Sequence, residues 1–420
     1  MPVKLPAFRP RPADKETPLK DVVIVDFTHF IAGPYATMVL ADFGADVIKI
    51  EAAGEGDAFR NYPPSIDGES VPYLWVNRNK KSVALDLKSE EGLRIARQLV
   101  DRADIVVENF STGVMARLGL GYETVVKTNP KLIYCSISSY GRSGPYAKRI
   151  GFDPIVQAES GFISMNGDPD RPGYRAGPSI MDISTAMMSA NAIQAALIAR
   201  QRTGKGQYLE TTMIETAVNM LGNFSLAYLA TGTSPTRFGN TQTTASPVGA
   251  FDAEDGPLYL ACANDRTFQR FAKDVLQDEA LASSPDYANS AKRRANGKAL
   301  IALIAARLKA NKRAFWLDRM HKAGVPGGAI RTVGEAMDAP EIAELGLLSE
   351  IPHPRLGTVP NVGLPIHFTE TPIRDPAAAP ELGANTEDVL KEMLGYGTKE
   401  LKAAAQRGAF GKKPAKGEAA

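Results

Sequence analysis

One carboxylate in this sequence stands out as a group that could do chemistry. It is Asp182, which follows the Pro- and Gly-rich stretch RPGYRAGPSIM that starts at Arg171. Apolar and small residues then run from Ile183 to about Arg200, which predicts a helix that begins beside Asp182. An Asp at a helix start is often an N-cap, because its oxygens accept backbone N–H bonds and its charge suits the helix dipole. The alternative is a reactive carboxylate presented on a rigid turn, and this stretch alone leaves both interpretations open.

The usual signatures of metal and cofactor chemistry are missing from the sequence. The histidines His29, His321, His353 and His367 are not spaced with one another or with a cysteine as metal ligands. No GxSxG elbow supports a Ser-His-Asp set, and no GxGxxG follows the first predicted strand. The turn at residues 202–207 resembles a phosphate loop only in composition. We therefore predict no metal site and no permanently bound cofactor.

A lone carboxylate can still act as a nucleophile toward an acyl thioester. Its attack would give a mixed anhydride and a free thiolate, and the thiolate could then leave a thioester on the enzyme. A second carboxylic acid would run the sequence in reverse, so that neither ATP nor a metal is needed. Such a site requires backbone N–H groups for the tetrahedral oxyanions. We expect them from Gly167–Gly177 and from the loop at Gly239-Asn240.

The predicted strands and helices that must position Asp182 indicate an α/β fold. A buried strand at residues 22–27, a helix at 35–43 and a second strand at 46–51 form a βαβ unit, which indicates a parallel sheet. Further strands are predicted at residues 82–87, 104–108 and 132–137. Ligands of such sheets bind at the carboxyl ends of the strands. His29, Asn109 and Tyr140 all lie just past the ends of predicted strands.

The chain is long enough for more than one domain, and the pattern of its predicted secondary structure changes after residue 248. Two apolar runs there flank Glu254-Asp-Gly, which predicts a hairpin in a smaller α+β domain. Residues 213–228 are predicted to form one helix. The predicted divisions are an N-terminal arm at 1–18, a large Rossmann-like domain at 19–225, a linker and small domain at 226–334, a return segment at 335–405 that completes the large domain, and a disordered tail at 406–420.

Composition narrows the classes of partner and location. The 420 residues include 49 basic and 47 acidic side chains, which gives a net charge of +2. This charge balance provides no positive electrostatic field that would attract nucleic acid. No run of 18 apolar residues predicts a membrane span, and the N-terminal residues lack the apolar core of a signal peptide. Cys135 and Cys262 lie in apolar runs and are expected to be buried free thiols. We expect a cytoplasmic protein without nucleic-acid or membrane partners.

Several motifs occur in order along the chain. They are FIAGPYAT at 30–37, ADFGADVIKIE at 41–51, NRNKKSVALDLK at 77–88, DIVVENF at 104–110, NPKLIYCSISSYG at 129–141, AGVPGG at 323–328 and LGANT at 382–386. Together they make the chain resemble the class III CoA-transferases, a family that also includes α-methylacyl-CoA racemase. The resemblance covers residues 19–396.

The resemblance implies roles for individual residues. Asp182 falls in the family's Asp-then-helix motif and would be the nucleophile. The positions implied to bind CoA are Ile31, Ala32, Leu85, Asp86, Leu87, Lys88, Asn109, Phe110, Ser111, Arg117, Arg149 and Asp153. The loop at residues 149–153, which contains the last two of these positions, is expected to close over the pantetheine. The charges of Lys88, Arg117 and Arg149 suit the phosphates of CoA.

Two positions depart from the family pattern. Several relatives carry an Arg after the Ile-Glu of the second strand, where this chain has Ala52, and Arg60 is a candidate replacement. The late motif usually contains a His where this chain has Asn385. A third position separates two functions, because the racemase has a His before the Asp in the loop that reads Gly151-Phe152-Asp153 here. Phe carries no proton, so CoA transfer is favoured and racemisation is the alternative. An acyl-CoA-binding protein without turnover is a third hypothesis, against which the intact Asp182 argues.

The resemblance also implies an assembly and a class of substrate. In this family each subunit is a ring of a large Rossmann-like domain and a small domain, and two rings interlock as a homodimer. Substrates would be an acyl-CoA and small carboxylic acids, with coenzyme A bound as part of a substrate. The segments around residues 62–64 and 77–81 resemble members that use succinyl-CoA, which favours succinyl-CoA as the donor.

Overall fold

The apolar runs of the sequence form strands that hydrogen-bond into one large sheet and several small ones. The computed structural model describes residues 3–12, 14–242 and 244–411. The strands are β1 Val23–Phe27, β2 Asp46–Ala52, β3 Ser65–Ile66, β4 Glu69–Ser70, β5 Lys80–Leu85, β6 Ile105–Glu108, β7 Ile133–Ser138, β8 Gln207–Thr212, β9 Val248–Ala253, β10 Gly256–Ala261, β11 Gly327–Ala329, β12 Leu348–His353 and β13 Gly357–Val362.

The large sheet contains six strands in the order β5-β2-β1-β6-β7-β8, and every neighbouring pair is parallel. In its centre Val25 of β1 lies beside Ile48 of β2 and Val106 of β6. Both faces of these strands are covered, which explains their nearly continuous apolar sequences. The strand order reverses between β1 and β6. In open α/β sheets that reversal opens a crevice at the carboxyl ends of the strands.

Helices connect the strands along the chain. They are α1 Ala32–Asp42, α2 Val71–Asn77, α3 Glu90–Val100, α4 Val114–Arg117, α5 Tyr122–Val125, α6 Asp153–Glu159, α7 Phe162–Met165, α8 Ile180–Thr203, α9 Met213–Met220, α10 Asn223–Thr231, α11 Asp265–Arg270, α12 Glu279–Ser283, α13 Ser290–Ala295, α14 Gly297–Leu308, α15 Arg313–Lys322, α16 Val333–Met337, α17 Pro340–Glu344, α18 Thr386–Leu394 and α19 Thr398–Gln406.

Two hydrophobic cores result, one on each face of the large sheet. One core joins the sheet to α3, α18 and α19, and the other joins it to α1 and α8. This mixed α/β arrangement with a parallel central sheet agrees with the predicted fold class. Cys135 lies in the second of these cores, and both cysteines are buried free thiols, as predicted.

The described residues divide into two compact units. One is formed by the described residues within Met1–Ser160, Ala176–Ser225 and Glu341–Ala420, and the other by those within Gly161–Arg175 and Leu226–Pro340. The second unit contains the predicted hairpin, in which β9 and β10 pair antiparallel and β11 adds to β10. Its core packs aromatic and aliphatic side chains of the sheet against α11, α14 and α15. None of the helices at residues 3–12, 14–242 and 244–411 is long and apolar enough to cross a membrane.

Two local predictions differ from the structure. The predicted single helix at 213–228 is two helices, because the chain turns at Gly222, whose φ of +60° is left-handed. The predicted disordered tail begins too early. Gln406 ends α19, and Ala409 is fully buried and accepts a hydrogen bond from the amide of Asp86. Apolar packing against the first core therefore extends order to residue 411, and residues 412–420 lie outside the described part.

Candidate active site

A cavity of about 370 Å³ opens at the point where the strand order reverses, and Asp182 lies in its wall. The loops that follow β1, β6 and β7 provide most of its lining, together with the turn before α6. The residues around it are His29, Phe30, Ile31, Ala32, Asn109, Phe110, Ser111, Thr112, Ile137, Ser138, Ser139, Tyr140, Gly141, Arg142, Ala147, Lys148, Arg149, Ile150, Gly151, Phe152, Asp182 and Met213.

The ends of β1 and β6 are locked together at this cavity. The amide of His29 donates to Asn109 Oδ1, and Asn109 Nδ2 donates back to the His29 carbonyl, both at 2.9 Å. The next residue, Phe30, has a φ of +61°, which is unusual for a non-glycine residue. Close packing follows at Gly33, where a Cβ would lie 2.3 Å from that of Thr28. The first turn of α1 is thereby held against the strand end.

Asp182 is the third residue of α8 and does not cap that helix. The helix begins at Ile180, and Ser179 occupies the N-cap position without a side-chain hydrogen bond. The interpretation of Asp182 as a structural N-cap is therefore wrong. Its carboxylate makes no hydrogen bond or ion pair with any residue that the structure describes, although its amide donates to Asp153 Oδ2 at 3.3 Å.

The surroundings of Asp182 disfavour its charged form. Burial in the cavity wall, and secondarily the negative charge of Asp153, raise the pKa of Asp182 to about 7. The carboxylate is thus ionised in only part of the molecules near neutral pH. A carboxylate with a raised pKa is also a stronger nucleophile than one in water. This perturbation, in a cavity and without a structural partner, is typical of a reactive group.

The predicted CoA contacts fall into two groups. Six of them line the same cavity as Asp182: Ile31, Ala32, Asn109, Phe110, Ser111 and Arg149. The others are not in its lining. Leu85 belongs to a hydrophobic core, and Leu87 packs partly buried against the same core. The side chain of Asp86 accepts from the amide of the exposed Lys88 at 2.9 Å, and Arg117 is exposed at the end of α4.

Asp153 differs from its predicted environment. It is 4% exposed and directs its carboxylate at the amides of α8 and at Gln157, not into the cavity. The cavity is instead bordered by the residues just before it, from Ala147 to Phe152. The Phe152 side chain is 59% exposed, and its ring centroid lies 6.4 Å from that of Phe30.

Three cationic side chains line the cavity, and they differ in how they are held. Arg142 donates to the Glu108 carboxylate at 3.0 Å, to Ser136 Oγ and to two backbone carbonyls, those of Phe110 and Ile137. Arg149 pairs with Glu159 and stacks over the ring of Tyr140. Lys148 makes no hydrogen bond or ion pair within the described part of the chain.

Sequence reasoning selected Tyr140 as a strand-end residue but not its neighbours Ser138, Ser139, Gly141 and Arg142, which also line the cavity. Their position at the end of β7 was the available signal, since the carboxyl ends of parallel strands share one edge. Nothing in the sequence distinguishes Arg142 as a buried support from an exposed ligand contact. The structure makes that distinction through its five hydrogen bonds to protein atoms.

The structure shows the contacts of the two residues linked to departures from the family pattern. They are Arg60, the candidate replacement for an Arg at position 52, and Asn385. Arg60 donates to both oxygens of Glu51, at 2.8 and 2.7 Å, and stacks on Tyr73. It is therefore committed to a buried network, and the expectation that it replaces an Arg at position 52 is not favoured. Asn385 accepts from the amide of Ser82 at 2.9 Å, so it extends the edge of β5.

The two glycine-rich segments expected to supply oxyanion donors bond to each other through residues of the second unit. The amide of Gly239 donates to the Gly167 carbonyl at 3.0 Å. Arg237 donates to carbonyls of the same loop at Ser164, Asp168 and Arg171. Among the residues at 3–12, 14–242 and 244–411 no group of His, Cys, Asp and Glu is arranged to hold a metal ion.

Comparison with known proteins identifies the family. The family model described as CoA-transferase family III matches residues 19–386. The chain belongs to this family and is a class III CoA-transferase, which transfers CoA between an acyl-CoA and a carboxylate.

Similar proteins extend over nearly the full chain. A succinate–glutarate CoA-transferase of Agrobacterium fabrum is 38% identical over 90% of this chain and 96% of its own length. An acetyl-CoA:oxalate CoA-transferase of Acetobacter aceti is 39% identical over 80% of this chain and 87% of its own. The crystal structure of a CaiB/BaiF family protein from Brucella suis is 36% identical, covers 90% of this chain and 100% of its own, and has a TM-score of 0.83.

Proposed function

We propose that Asp182 is the nucleophile that carries CoA from donor to acceptor. The observation that carries this proposal is a partly buried carboxylate in a cavity, with no structural partner among the described residues and a pKa raised to about 7. A carboxylate held by hydrogen bonds or cations would be a poorer nucleophile.

The proposed reaction proceeds through covalent anhydride and thioester intermediates on Asp182, and water takes no part in it. The Asp182 carboxylate attacks the donor thioester, CoA thiolate leaves, and a mixed anhydride remains. The thiolate then attacks the Asp182 carbonyl, which releases the donor acid and leaves an aspartyl-CoA thioester. The acceptor carboxylate attacks that thioester, and the returning thiolate attacks the acceptor carbonyl of the second anhydride. Product acyl-CoA leaves and Asp182 is restored.

Succinyl-CoA is the proposed donor and a small dicarboxylate the proposed acceptor. Relatives named for succinate–glutarate and for oxalate transfer support this class. The cavity supports it through Lys148, the lining cation without a partner in the described residues. A second carboxylate on the substrate would supply that partner. We also propose that two subunits interlock as a homodimer, which follows from the family resemblance.

Racemisation is the less favoured activity. Phe152 lines the cavity at the position where a racemase would carry a histidine, and a phenyl ring transfers no proton. The cavity does contain His29, but burial lowers the pKa of that imidazole, and its ring packs on Phe110 at 4.7 Å. In D₂O we expect no deuterium at the α-carbon of a 2-methylacyl-CoA.

The test of the nucleophile uses Asp182→Asn, with Asp170→Asn as a control on the exposed loop before it. CoA-ester products are measured by mass spectrometry after mixing enzyme, succinyl-CoA and a pool of carboxylic acids. We expect transfer to fall at least about a thousandfold in the Asp182 variant while CoA affinity is retained. The wild type should also show a CoA adduct on the peptide that contains Asp182. Transfer by the Asp182 variant at a rate near wild type would remove this carboxylate from the mechanism.

A further inference from the structure

Asp153 is a buried carboxylate without an ion-pair partner among the described residues, directly beside the proposed nucleophile. Its Oδ2 atom accepts from the amide of Met181 at 2.7 Å and from that of Asp182 at 3.3 Å. Both amides belong to the first turn of α8, where backbone N–H groups have no partner inside the helix. Ser179 leaves them uncapped. Asp153 thus supplies, from another helix, the cap that the local sequence does not provide.

Gln157 extends this contact to the other end of the loop before α8. Its Nε2 atom donates to Asp153 Oδ1 at 2.5 Å, and its Oε1 atom accepts from the amide of Ala176 at 2.8 Å. Gln157 is fully buried. One turn of α6 therefore fastens the segment Ala176–Asp182 at both of its ends.

We propose that Asp153, oriented by Gln157, is a positioning residue for CoA transfer: it fixes the backbone that presents Asp182 and keeps a negative charge beside it. A buried carboxylate next to a second carboxylate costs stability and is not needed for capping, since an uncharged Asn would also accept backbone N–H bonds. Its retention is explained if the charge itself serves the reaction. This inference rests on the proposed role of Asp182.

The charge has a defined effect on Asp182. Burial is the larger cause of the raised pKa of Asp182, and Asp153 is the second. Other titratable or charged groups near α8 and the cavity are Glu215 on α9, Glu210 on β8, and His29, Arg142, Lys148 and Arg149 in the lining. The neighbouring charge that raises the pKa of Asp182 is that of Asp153. Because Asp182 attacks as the carboxylate, activity should rise with pH through about 7, and loss of the Asp153 charge should move that rise to lower pH.

The experiment compares Asp153→Asn with the double variant D153N/Q157E. In the single variant an amide NH₂ faces the NH₂ of Gln157, so the contact breaks and the charge is lost. In the double variant the new carboxylate at position 157 accepts from both the Asn amide and Ala176. The hydrogen bonds are then restored, and the charge lies one helical turn farther along. Asp278→Asn, at a carboxylate that caps α12 in the other unit, is the matched control.

We expect D153N to lower kcat by roughly 10- to 100-fold, with KM for the CoA ester unchanged. The acid limb of its pH profile should move down by about one unit. The double variant should recover most of kcat and keep a lowered acid limb, and D278N should match the wild type. A D153N enzyme with the wild-type kcat and acid limb overturns the proposal.

If D153N does not fold, the double variant decides the question, and a wild-type acid limb in it overturns the role of the charge. Failure of the proposed function is separate, because it would appear as activity in D182N. An inactive D182N together with a wild-type-like D153N contradicts only the role of Asp153.

Discussion

At the scale of single residues, the cavity separates side chains that build the site from those free to meet a ligand. Arg142 and Arg149 are cationic, but each already pairs with a carboxylate of the protein. Lys148 differs from them, since no described residue pairs with its ammonium group. Positive charge alone therefore does not identify a ligand contact. The distinguishing property is whether the cation already pairs with a carboxylate of the protein.

Replacement of Lys148 tests its proposed contact with a dicarboxylate. We expect Lys148→Ala to raise KM for dicarboxylate acceptors by roughly tenfold, because a charge-assisted hydrogen bond is lost. KM for monocarboxylate acceptors should stay unchanged, and Lys148→Arg should restore part of the difference. Initial rates with glutarate and butyrate measure this, with the exposed Lys205→Ala as control. An equal rise of KM for both acids, or a rise only for the CoA ester, would assign Lys148 to another part of the substrate.

At the scale of elements, a buried ionic network supports the strand ends that form the cavity. Lys49 donates to the Thr28 carbonyl at 2.6 Å and lies 3.0 Å from Asp57, while Lys80 pairs with Asp26 at 3.0 Å. Glu51 and Arg60 continue this network at the end of β2. The turn between β1 and α1 is thus held by charges from neighbouring strands.

Arg60→Ala should be strongly destabilising. It leaves the Glu51 carboxylate buried without its main partner, which costs about 3–5 kcal/mol. Urea denaturation measures the change, and Lys322→Ala, in an exposed pair on α15, should stay within about 1 kcal/mol of the wild type. A small effect of Arg60→Ala on stability, combined with a large loss of CoA affinity, would return Arg60 to the list of CoA contacts.

The ion pair between Glu51 and Arg60 also makes the stability of the fold depend on pH in the acid range. Burial alone would raise the pKa of Glu51, but the hydrogen bonds from Arg60 and the charge of Lys49 prevail and lower it to about 2. The folded state therefore binds this proton less readily than the unfolded state. Its contribution to stability is present above the usual Glu pKa of about 4.5 and should be lost as the pH falls toward 2. Arg60→Ala should flatten this part of the stability profile.

The elements show why some of this site can be predicted from sequence and some cannot. The central strands are buried on both faces, so their apolar runs are visible, and the strand-end rule then selects Asn109. The start of α8 was predicted two to three residues late because its cap is Asp153, 29 positions earlier in the chain. No local pattern encodes that contact. The pairing of Arg149 with Glu159 is likewise a property of the folded loop.

At the scale of the whole molecule, the proposed interlocked homodimer makes a kinetic prediction. Two linked rings cannot separate without opening the chain, so subunit exchange should be as slow as unfolding. The helices of the first unit expose Met188 and Ile198 of α8 and Val218 of α9, apolar surface of the kind that subunit contacts cover. We expect native mass spectrometry to show a dimer at nanomolar concentration. Two differently tagged dimers mixed under native conditions should form no hybrid within hours, whereas co-expression or joint refolding should produce hybrids. Hybrids that form within minutes of native mixing would indicate a dimer held only by surface contact, and a monomer would contradict the assembly altogether.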